Sequence, residues 1–335
     1  GNQDVLAWAS SGGTGPDAAN DPGNLDQVPN ALVSTQSFNA VIEGSLGAMF
    51  GTYPNLQGVI LNIPNITLIP FFQAVKWNAI PMDQATADAT NSAFAGFNGF
   101  LNQISTPEGG SFITPEEAAY RQITFEAGNN EIVINDDQMT DLTDAIMFYF
   151  NNGFITEAQR DALLPFAIAR QMKSAADESG LVPFGLPGEI VTLSAGSVLG
   201  QLADPGNPAS VIGVGVPLGD EFTLTVDELG KLLMRIGAFN AKIAEQAGLY
   251  ENLKLYDANT LFTSIAISGG YTIENGFTYS PDFSPNGIFS TDGVHPNPAG
   301  HAILANELMD LIEDEFGADL PAYDVSDFST ILIAQ

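Results

Sequence analysis

Both histidines of this chain lie in one short stretch near its carboxyl end. The stretch, residues 291–301, reads Thr-Asp-Gly-Val-His-Pro-Asn-Pro-Ala-Gly-His. Asp292 and His295 are three residues apart on a loop that contains glycine and proline, and Asn297-Pro298 is typical of a helix start. A loop fixed on a helix start holds an imidazole in place, and a carboxylate this close orients it. The spacing indicates a general base; for a bare Asp-x-x-His the alternative is a surface loop before the last helix.

The longer string resembles the last sequence block of the SGNH (GDSL-type) serine esterases and lipases. Asp-Gly-Val-His-Pro at 292–296 matches that block, and Gly300-His301 with an amphipathic helix follows it. The resemblance implies that Asp292 and His295 belong to a Ser-His-Asp triad, in which histidine deprotonates the serine and aspartate fixes the histidine tautomer. His301 falls within the helix, one turn beyond the loop, and is assigned a structural role. No metal or organic cofactor is implied.

The first four residues resemble a second block of the same family. That block, Gly-x-Asn-Asp, follows the third sheet strand and supplies a side chain to the oxyanion hole. Gly1 and Asp4 match it, whereas Gln3 stands where the family has asparagine. Glutamine carries the same amide donor one methylene further out, so its reach depends on the position of the backbone. We expect Gln3 to be the oxyanion donor, with Asn2 as the fallback.

The nucleophile of the family is missing from the sequence. The family's serine lies in a Gly-Asp-Ser block upstream of Gly-x-Asn-Asp, and this sequence starts at the later block. Three explanations remain open: an N-terminally truncated esterase, a missing part supplied by a separate polypeptide, or a non-catalytic descendant. We favour the first, because the Asp/His loop is intact. Ser197 is not taken as the nucleophile, because its surroundings lack the glycine two residues before the serine that a nucleophile elbow needs.

A third segment, residues 62–72, resembles the Bacteroidetes branch of these lipolytic proteins. It reads Asn-Ile-Pro-Asn-Ile-Thr-Leu-Ile-Pro-Phe-Phe, and Asn65 replaces the usual aspartate. The segment follows a predicted strand, and the carboxyl ends of strands in α/β sheets are where ligands bind. We expect a structural turn at Asn65, with a substrate contact as the alternative.

The fold class expected is α/β. The resemblance implies a flavodoxin-like three-layer αβα SGNH-hydrolase fold without its N-terminal strands. It forms a single domain over residues 1–335 with a mostly helical insertion at about 107–180. Such a remnant exposes a sheet edge. We therefore expect poor stability as a monomer, or a second copy or missing N-terminal segment that covers this edge.

Apolar periodicity, capping residues and breakers place the elements along the chain. They predict helices at 35–50, 83–104, 138–150, 156–176, 225–246 and 298–316, strands at 58–63, 131–135, 189–193 and 253–257, and mostly loop at 262–290. Phe94, Phe97 and Phe100 are expected in the core. Arg121, Arg160 and Arg170 are expected to pair with carboxylates.

Composition excludes several classes of protein. The chain has 335 residues, with 40 acidic residues against 9 lysines and arginines, and a formal charge of −31. Too few cations are present to neutralise nucleic-acid phosphates, and an anionic membrane surface is excluded for the same reason. The chain has no cysteine, so no thiolate site exists. The acidity and the resemblance indicate a periplasmic, extracellular or outer-membrane-surface setting, with any leader absent from this sequence.

The function predicted is hydrolysis of a carboxylic ester of a small molecule, lipid or carbohydrate. One alternative is a non-catalytic cell-surface binding protein on a degenerate esterase scaffold. Another is an acidic binder of divalent cations, which would use Asp136-Asp137 and the loop around Asp17, Asp21 and Asp26. Those carboxylates lack the spacing of an EF-hand.

Overall fold

The structure is a computed structural model, and it describes residues 1–176, 186–274 and 276–328. The chain divides into two compact units, Gly1–Ala74 with Glu228–Gln335 and Val75–Asp227, which we call the terminal unit and the central unit. The predicted insertion at 107–180 lies within the central unit, which extends beyond it on both sides. The last four residues of that prediction, 177–180, lie outside the described residues.

Helices and strands are mixed along the described residues, as expected for the α/β class. The helices are α1 (Asn2–Ser10), α2 (Thr35–Thr52), α3 (Pro70–Gln73), α4 (Gln84–Ile104), α5 (Pro115–Tyr120), α6 (Thr143–Asn151), α7 (Glu157–Leu163), α8 (Val226–Leu249), α9 (Ala258–Ser268) and α10 (Pro298–Phe316). The strands are β1 (Gly58–Leu61), β2 (Ile80–Met82), β3 (Gly128–Asn130), β4 (Val133–Asn135), β5 (Ala169–Gln171), β6 (Ile190–Val191), β7 (Thr223–Leu224), β8 (Leu253–Tyr256), β9 (Tyr271–Thr272), β10 (Thr278–Phe283) and β11 (Gly287–Phe289).

A parallel strand pair forms the centre of the terminal unit. β1 pairs with β8 in the register Gly58 to Leu253 through Leu61 to Tyr256. Leu253 of β8 packs with Phe50 of α2 and Ala247 of α8 in one apolar cluster. The Phe38 ring of α2 also stacks on the Phe239 ring of α8, with centroids 3.9 Å apart. Helices α2 and α8 therefore cover one face of the pair.

Helix α10 lies on the opposite face of the same pair. Successive side chains of a strand point to opposite faces, and the residues of β8 that alternate with Leu253 contact α10. The Lys254 ammonium lies 2.8 Å from a Glu315 carboxylate oxygen, and the Tyr256 hydroxyl donates to Glu307 at 3.1 Å. Both faces of β1 and β8 are consequently covered by helices, as parallel strands require.

Four predicted helices are confirmed to within a few residues: α2, α4, α8 and α10. Three of them start at a side-chain cap. Ser34 accepts from the Ser37 amide, Asp83 from the Thr86 amide, and Asn297 from the Gly300 amide. Short polar side chains just before an apolar periodic run were thus reliable markers of helix starts.

Three sequence predictions are wrong in the structure. The helix expected at 156–176 ends at Leu163, because Pro165 has no amide hydrogen to continue it, and the strand β5 follows. The helix expected from residue 138 starts only at Thr143. The loop expected at 262–290 instead holds most of α9 and the three-stranded sheet of β9, β10 and β11. Strands β9 and β11 have only two and three residues, which is too few for an alternating pattern to be recognised.

The central unit has an aromatic core and a buried ion cluster. Phe94, Phe97 and Phe100 are buried in its main apolar cluster, as predicted. The predicted carboxylate pairs of the arginines are also confirmed: Arg121 with Glu117, Arg160 with Glu157, and Arg170 with both Asp136 and Glu189. Burial alone would lower the pKa of the Arg170 guanidinium, but the Glu189 and Asp136 carboxylates outweigh it and raise this pKa above its ordinary value.

The Asp220 carboxyl in the central unit should make the stability of the fold depend on pH. Burial, followed by repulsion from Asp137, Asp136 and Glu221, raises the pKa of its carboxyl to about 7, and the Arg170 charge offsets only part of this. Its Oδ1 is buried without a hydrogen-bond partner. The folded pKa exceeds the unfolded value of 3.8, so between about pH 4 and pH 7 the unfolded chain ionises Asp220 while the folded chain keeps it protonated. The free energy of unfolding therefore falls as pH rises through this range.

We therefore expect Asp220→Asn to stabilise the central unit at pH 8. A gain of about 1–2 kcal/mol is expected, because solvent near this half-buried carboxyl screens part of the repulsion. Urea denaturation at pH 5 and pH 8 measures the effect. The gain should shrink at pH 5, where the folded carboxyl is already protonated. An equal effect at both values would contradict the raised pKa.

Candidate active site

The loop that carries His295 is closed by its own backbone. The Ser290 amide donates to the His295 carbonyl at 2.8 Å, and the Gly293 amide donates to the Ser290 carbonyl at 3.0 Å. Beyond the loop, the Asn297 amide donates to the Ile288 carbonyl at 2.8 Å. Together these bonds fix the backbone on both sides of His295, so the Cα atom that carries the imidazole has a defined position.

Asn297 ties the same loop to the last helix. Its side-chain oxygen accepts from the Gly300 amide at 3.0 Å, which caps α10. Its side-chain nitrogen donates to the Gly287 carbonyl at 2.6 Å and to the Ser284 hydroxyl at 3.1 Å. The side chain is buried. One amide therefore joins the end of the histidine loop, the start of α10 and the strand β11.

Gly293 lets the loop approach the start of α3 closely. Its carbonyl accepts from the Phe71 amide at 3.0 Å, and its φ of +71° lies in the left-handed region. A Cβ added at this position would lie 2.7 Å from the Phe71 nitrogen. Only glycine meets both the backbone angle and the close contact.

Gly293→Ala should destabilise the terminal unit by about 2–3 kcal/mol, since it adds a steric clash to an unfavourable backbone angle. Gly317→Ala is the matched control, because Gly317 has a φ of +68° with nothing within 4 Å of an added Cβ. The control should cost about 1 kcal/mol. Thermal denaturation of the two variants measures the difference. Equal losses would mean that the contact with Phe71 is unimportant.

The two predicted catalytic side chains meet in the structure. The Nδ1 atom of His295 lies 2.7 Å from the Oδ2 atom of Asp292, and the two side chains are 77% and 50% exposed. This is the hydrogen-bonded arrangement in which a carboxylate orients a catalytic imidazole. No hydrogen bond from the described residues reaches Nε2 of His295. The outer nitrogen of an exposed ring is therefore open to a reacting group.

Asp292 is itself held by three further donors on its other oxygen. Its Oδ1 accepts from the Ser290 hydroxyl at 2.6 Å, the Val294 amide at 2.9 Å and the His295 amide at 3.0 Å. Burial alone would raise the pKa of this carboxyl. The hydrogen bonds from Ser290, Val294 and His295 outweigh burial and hold the pKa of Asp292 well below its ordinary value. The carboxylate is therefore charged and fixed in direction.

Asp292→Asn should reverse the tautomer of the neutral His295 ring. The three donors around Oδ1 fix the oxygen of an introduced amide, so its NH2 group must face Nδ1 of His295. Nδ1 then accepts a hydrogen bond and the ring proton moves to Nε2. Long-range ¹H–¹⁵N NMR spectra at high pH report the tautomer. His301 is the internal control, because it lies exposed on α10; an unchanged His295 tautomer would contradict the geometry.

An apolar cavity in the terminal unit borders the histidine loop. Its volume is about 810 Å³, and Val294 and Pro296, the two neighbours of His295, lie in its lining with Phe289 and Leu304. Small-molecule sites commonly have volumes of roughly 300–1,000 Å³. The loop that carries the imidazole therefore borders a space large enough for an organic ligand.

The two predicted oxyanion donors occupy different places. Both lie on the first turn of α1, where the resemblance implied a segment after a strand. Asn2 lies in the lining of the cavity, whereas Gln3 is exposed and outside that lining. Asp4 pairs with the amino terminus of Gly1 at 3.2 Å. Of the two amides, only Asn2 shares the cavity with the neighbours of His295.

The other residues considered for function are structural or already engaged. Asn65 accepts from the Thr67 amide at 3.2 Å and the Thr67 hydroxyl at 2.7 Å, as expected for a turn. Ser197 in the central unit donates to the Ser194 carbonyl at 2.8 Å. Among the carboxylates considered for cations, Asp17 pairs with Arg235 and Asp136 with Arg170.

Two parts of the site, Ser290 and the cavity, were not predicted from the sequence. Ser290 supplies the shortest hydrogen bond to Asp292, and its position only two residues before the aspartate is the signal that could have indicated it. The cavity gave no comparable signal, because its lining comes from segments far apart in the chain.

Comparisons with known proteins give no relatives. No family model, curated protein or solved structure matches the chain. Among the described residues, none of the helices is both long and apolar enough to cross a membrane.

Proposed function

We propose that the terminal unit carries the histidine and the aspartate of the catalytic triad of a carboxylic-ester hydrolase of the SGNH (GDSL) type. His295 acts as the general base through Nε2, and Asp292 holds the tautomer and stabilises the imidazolium. The observation that carries the proposal is the 2.7 Å hydrogen bond from His295 Nδ1 to Asp292 Oδ2 on a ring whose Nε2 is open.

The layering of the terminal unit supports the same proposal. Helices α2 and α8 cover one face of the parallel strands β1 and β8, and α10 covers the other face. A flavodoxin-like three-layer fold is built on this arrangement. The histidine loop directly precedes α10, so the start of that helix positions the base.

The nucleophile in this proposal is a serine hydroxyl outside the given sequence. Its oxygen attacks the ester carbonyl while its proton moves to Nε2 of His295, and the carbonyl oxygen becomes an oxyanion. The proton then passes from His295 to the leaving alcohol, and water repeats the sequence on the acyl-enzyme. Asn2, which lines the cavity, is the favoured oxyanion donor, and Gln3 requires a local shift of α1 to assist.

The substrate in this proposal is an ester of a small molecule, lipid or carbohydrate, met in a periplasmic, extracellular or cell-surface setting. The apolar lining of the cavity beside Val294 and Pro296 supports an apolar part in that ester.

A fluorophosphonate probe tests the proposal, because it phosphonylates only a serine activated by a neighbouring base. The given chain and the chain extended by its native flanking sequence are both treated. Labelling of one serine in the extended protein, abolished in His295→Ala and retained in His301→Ala, is the expected result. A folded extended protein that neither labels nor cleaves p-nitrophenyl esters rejects the hydrolase.

A non-catalytic binding protein is the second candidate. Its supporting observation is that no serine hydroxyl among the described residues forms a hydrogen bond with His295. Binding of an apolar ester without turnover in the extended protein would favour it.

A further inference from the structure

Strand β1 has one paired edge and one free edge. In a β-strand the backbone groups of successive residues point alternately to the two neighbouring strand positions. The Gly58 amide donates to the Asn252 carbonyl at 3.0 Å and the Asn62 amide to the Tyr256 carbonyl at 3.3 Å, both toward β8. Val59 and Leu61, which alternate with them, therefore point their N–H and C=O groups away from β8. No described residue lies in a strand on that side.

The cavity already described adjoins the carboxyl end of this free edge, at Leu61. Ile60 and Leu61 of β1 lie in its lining. So do Phe38 and Val41 from α2 and Leu304 from α10. These two helices cover opposite faces of the strand pair, so the cavity continues the strand layer between the same two helical layers.

The backbone groups at this edge distinguish between occupants. Buried N–H and C=O groups need hydrogen-bond partners. A fatty acyl chain in the cavity would cover Leu61 and leave its backbone groups unpaired, which is unfavourable. An extended peptide supplies a matching row of donors and acceptors and fills the same space with side chains.

We propose that the free edge of β1 binds an extended apolar peptide segment, which becomes a third strand through hydrogen bonds to Val59 and Leu61. Since helices lie on both faces, the segment carries apolar side chains on both of its faces. Asp4 and Asp26 lie in the cavity lining, and the chain has a net charge of −31. Charge complementarity therefore favours basic residues at the ends of the segment.

A fluorescein-labelled, acetylated peptide, Lys-Val-Ile-Val-Ile-Val-Lys, is the probe for this site. We expect saturable binding by fluorescence polarisation, and binding at least tenfold weaker for the same peptide with glutamates at both ends. Hydrogen exchange followed by NMR locates the contact. The amides of Val59 and Leu61 should exchange more slowly with the peptide bound, whereas those of Ile60 and Tyr256, which point into the existing pair, should change little.

Two variants test the contributions of the strand edge and of the cavity to peptide binding separately. Val59→Pro removes an amide hydrogen from the free edge only, a position where strands tolerate proline, and should weaken peptide binding at least tenfold. Val59→Thr keeps the amide and is the matched control. Ser45→Phe fills the cavity from α2 without changing β1, and it also should weaken binding, so the test survives if the proline variant fails to fold.

Three results would overturn the proposal. The first is the absence of saturable peptide binding to the folded chain. The second is peptide binding that leaves exchange at Val59 and Leu61 unchanged. The third is protection of these two amides in the chain alone together with a dimer in sedimentation analysis, which would assign the edge to a second copy. None of these readouts requires catalysis, so failure of this proposal and failure of the hydrolase proposal are distinguishable.

Discussion

His295→Ala is expected to lower kcat/KM for ester hydrolysis by about 10³–10⁴-fold in the protein with its native flanking sequence. In the proposed mechanism, the variant removes the group that takes the serine proton. It leaves the hydrogen bonds from the Ser290 hydroxyl and the Val294 amide to Asp292 in place, because these do not involve the ring. The loss should therefore appear in catalysis and not in folding.

His301→Ala is the control for this experiment, since it removes the only other histidine from an exposed position on α10. Hydrolysis of p-nitrophenyl esters by the wild type and both variants gives the comparison, with circular dichroism as the check of folding. Full activity in His295→Ala would remove the base from the proposal and with it the assignment as an esterase.

Glu189→Ala is expected to destabilise the central unit by about 3–5 kcal/mol, because it leaves a buried guanidinium with too little opposing charge. Two nitrogens of Arg170 donate to the Glu189 carboxylate at 2.8 and 2.6 Å, and both side chains are at most 1% exposed. Glu189 also accepts from the Lys173 amide at 2.8 Å and the Val226 amide at 3.1 Å. Four donors thus lose their acceptor at once.

Glu157→Ala provides the contrast, because Glu157 is a 75% exposed partner of Arg160. Its loss should change stability by less than about 1 kcal/mol. Urea denaturation in a Trp8→Phe background measures both, since Trp77 is then the only tryptophan and lies in the central unit. Similar shifts for Glu157→Ala and Glu189→Ala would show that the Arg170 cluster is not a major source of stability.

Local sequence signals predicted much of the fold. Asn297-Pro298 marked the start of α10, and Gly317 marks its end, because caps and breakers act within one turn of the helix. The pairing of Asp292 with His295 was also predictable, since three residues on a loop leave the two side chains within reach. These features depend on neighbours in the chain.

The features that were missed depend on distant residues. A carboxylate partner was predicted for Arg170, but not which one, because Asp136 and Glu189 lie 34 and 19 residues away from it in the chain. The short strands of the sheet after α9 likewise owe their form to pairing with one another more than to their own propensity. The prediction that Gln3 reaches an oxyanion depended on a backbone path that the sequence did not specify, and α1 places that side chain on the surface.

The depressed pKa of Asp292 has a consequence for the conditions under which the dyad keeps its shape. Because the folded pKa lies below the unfolded value, the stabilisation from this carboxylate is present above the unfolded pKa and is lost only as pH falls through the folded pKa. Mild acidification therefore leaves the Asp292 carboxylate ionised and its hydrogen bond with Nδ1 of His295 intact. The orientation of the imidazole is therefore preserved over the whole of that range.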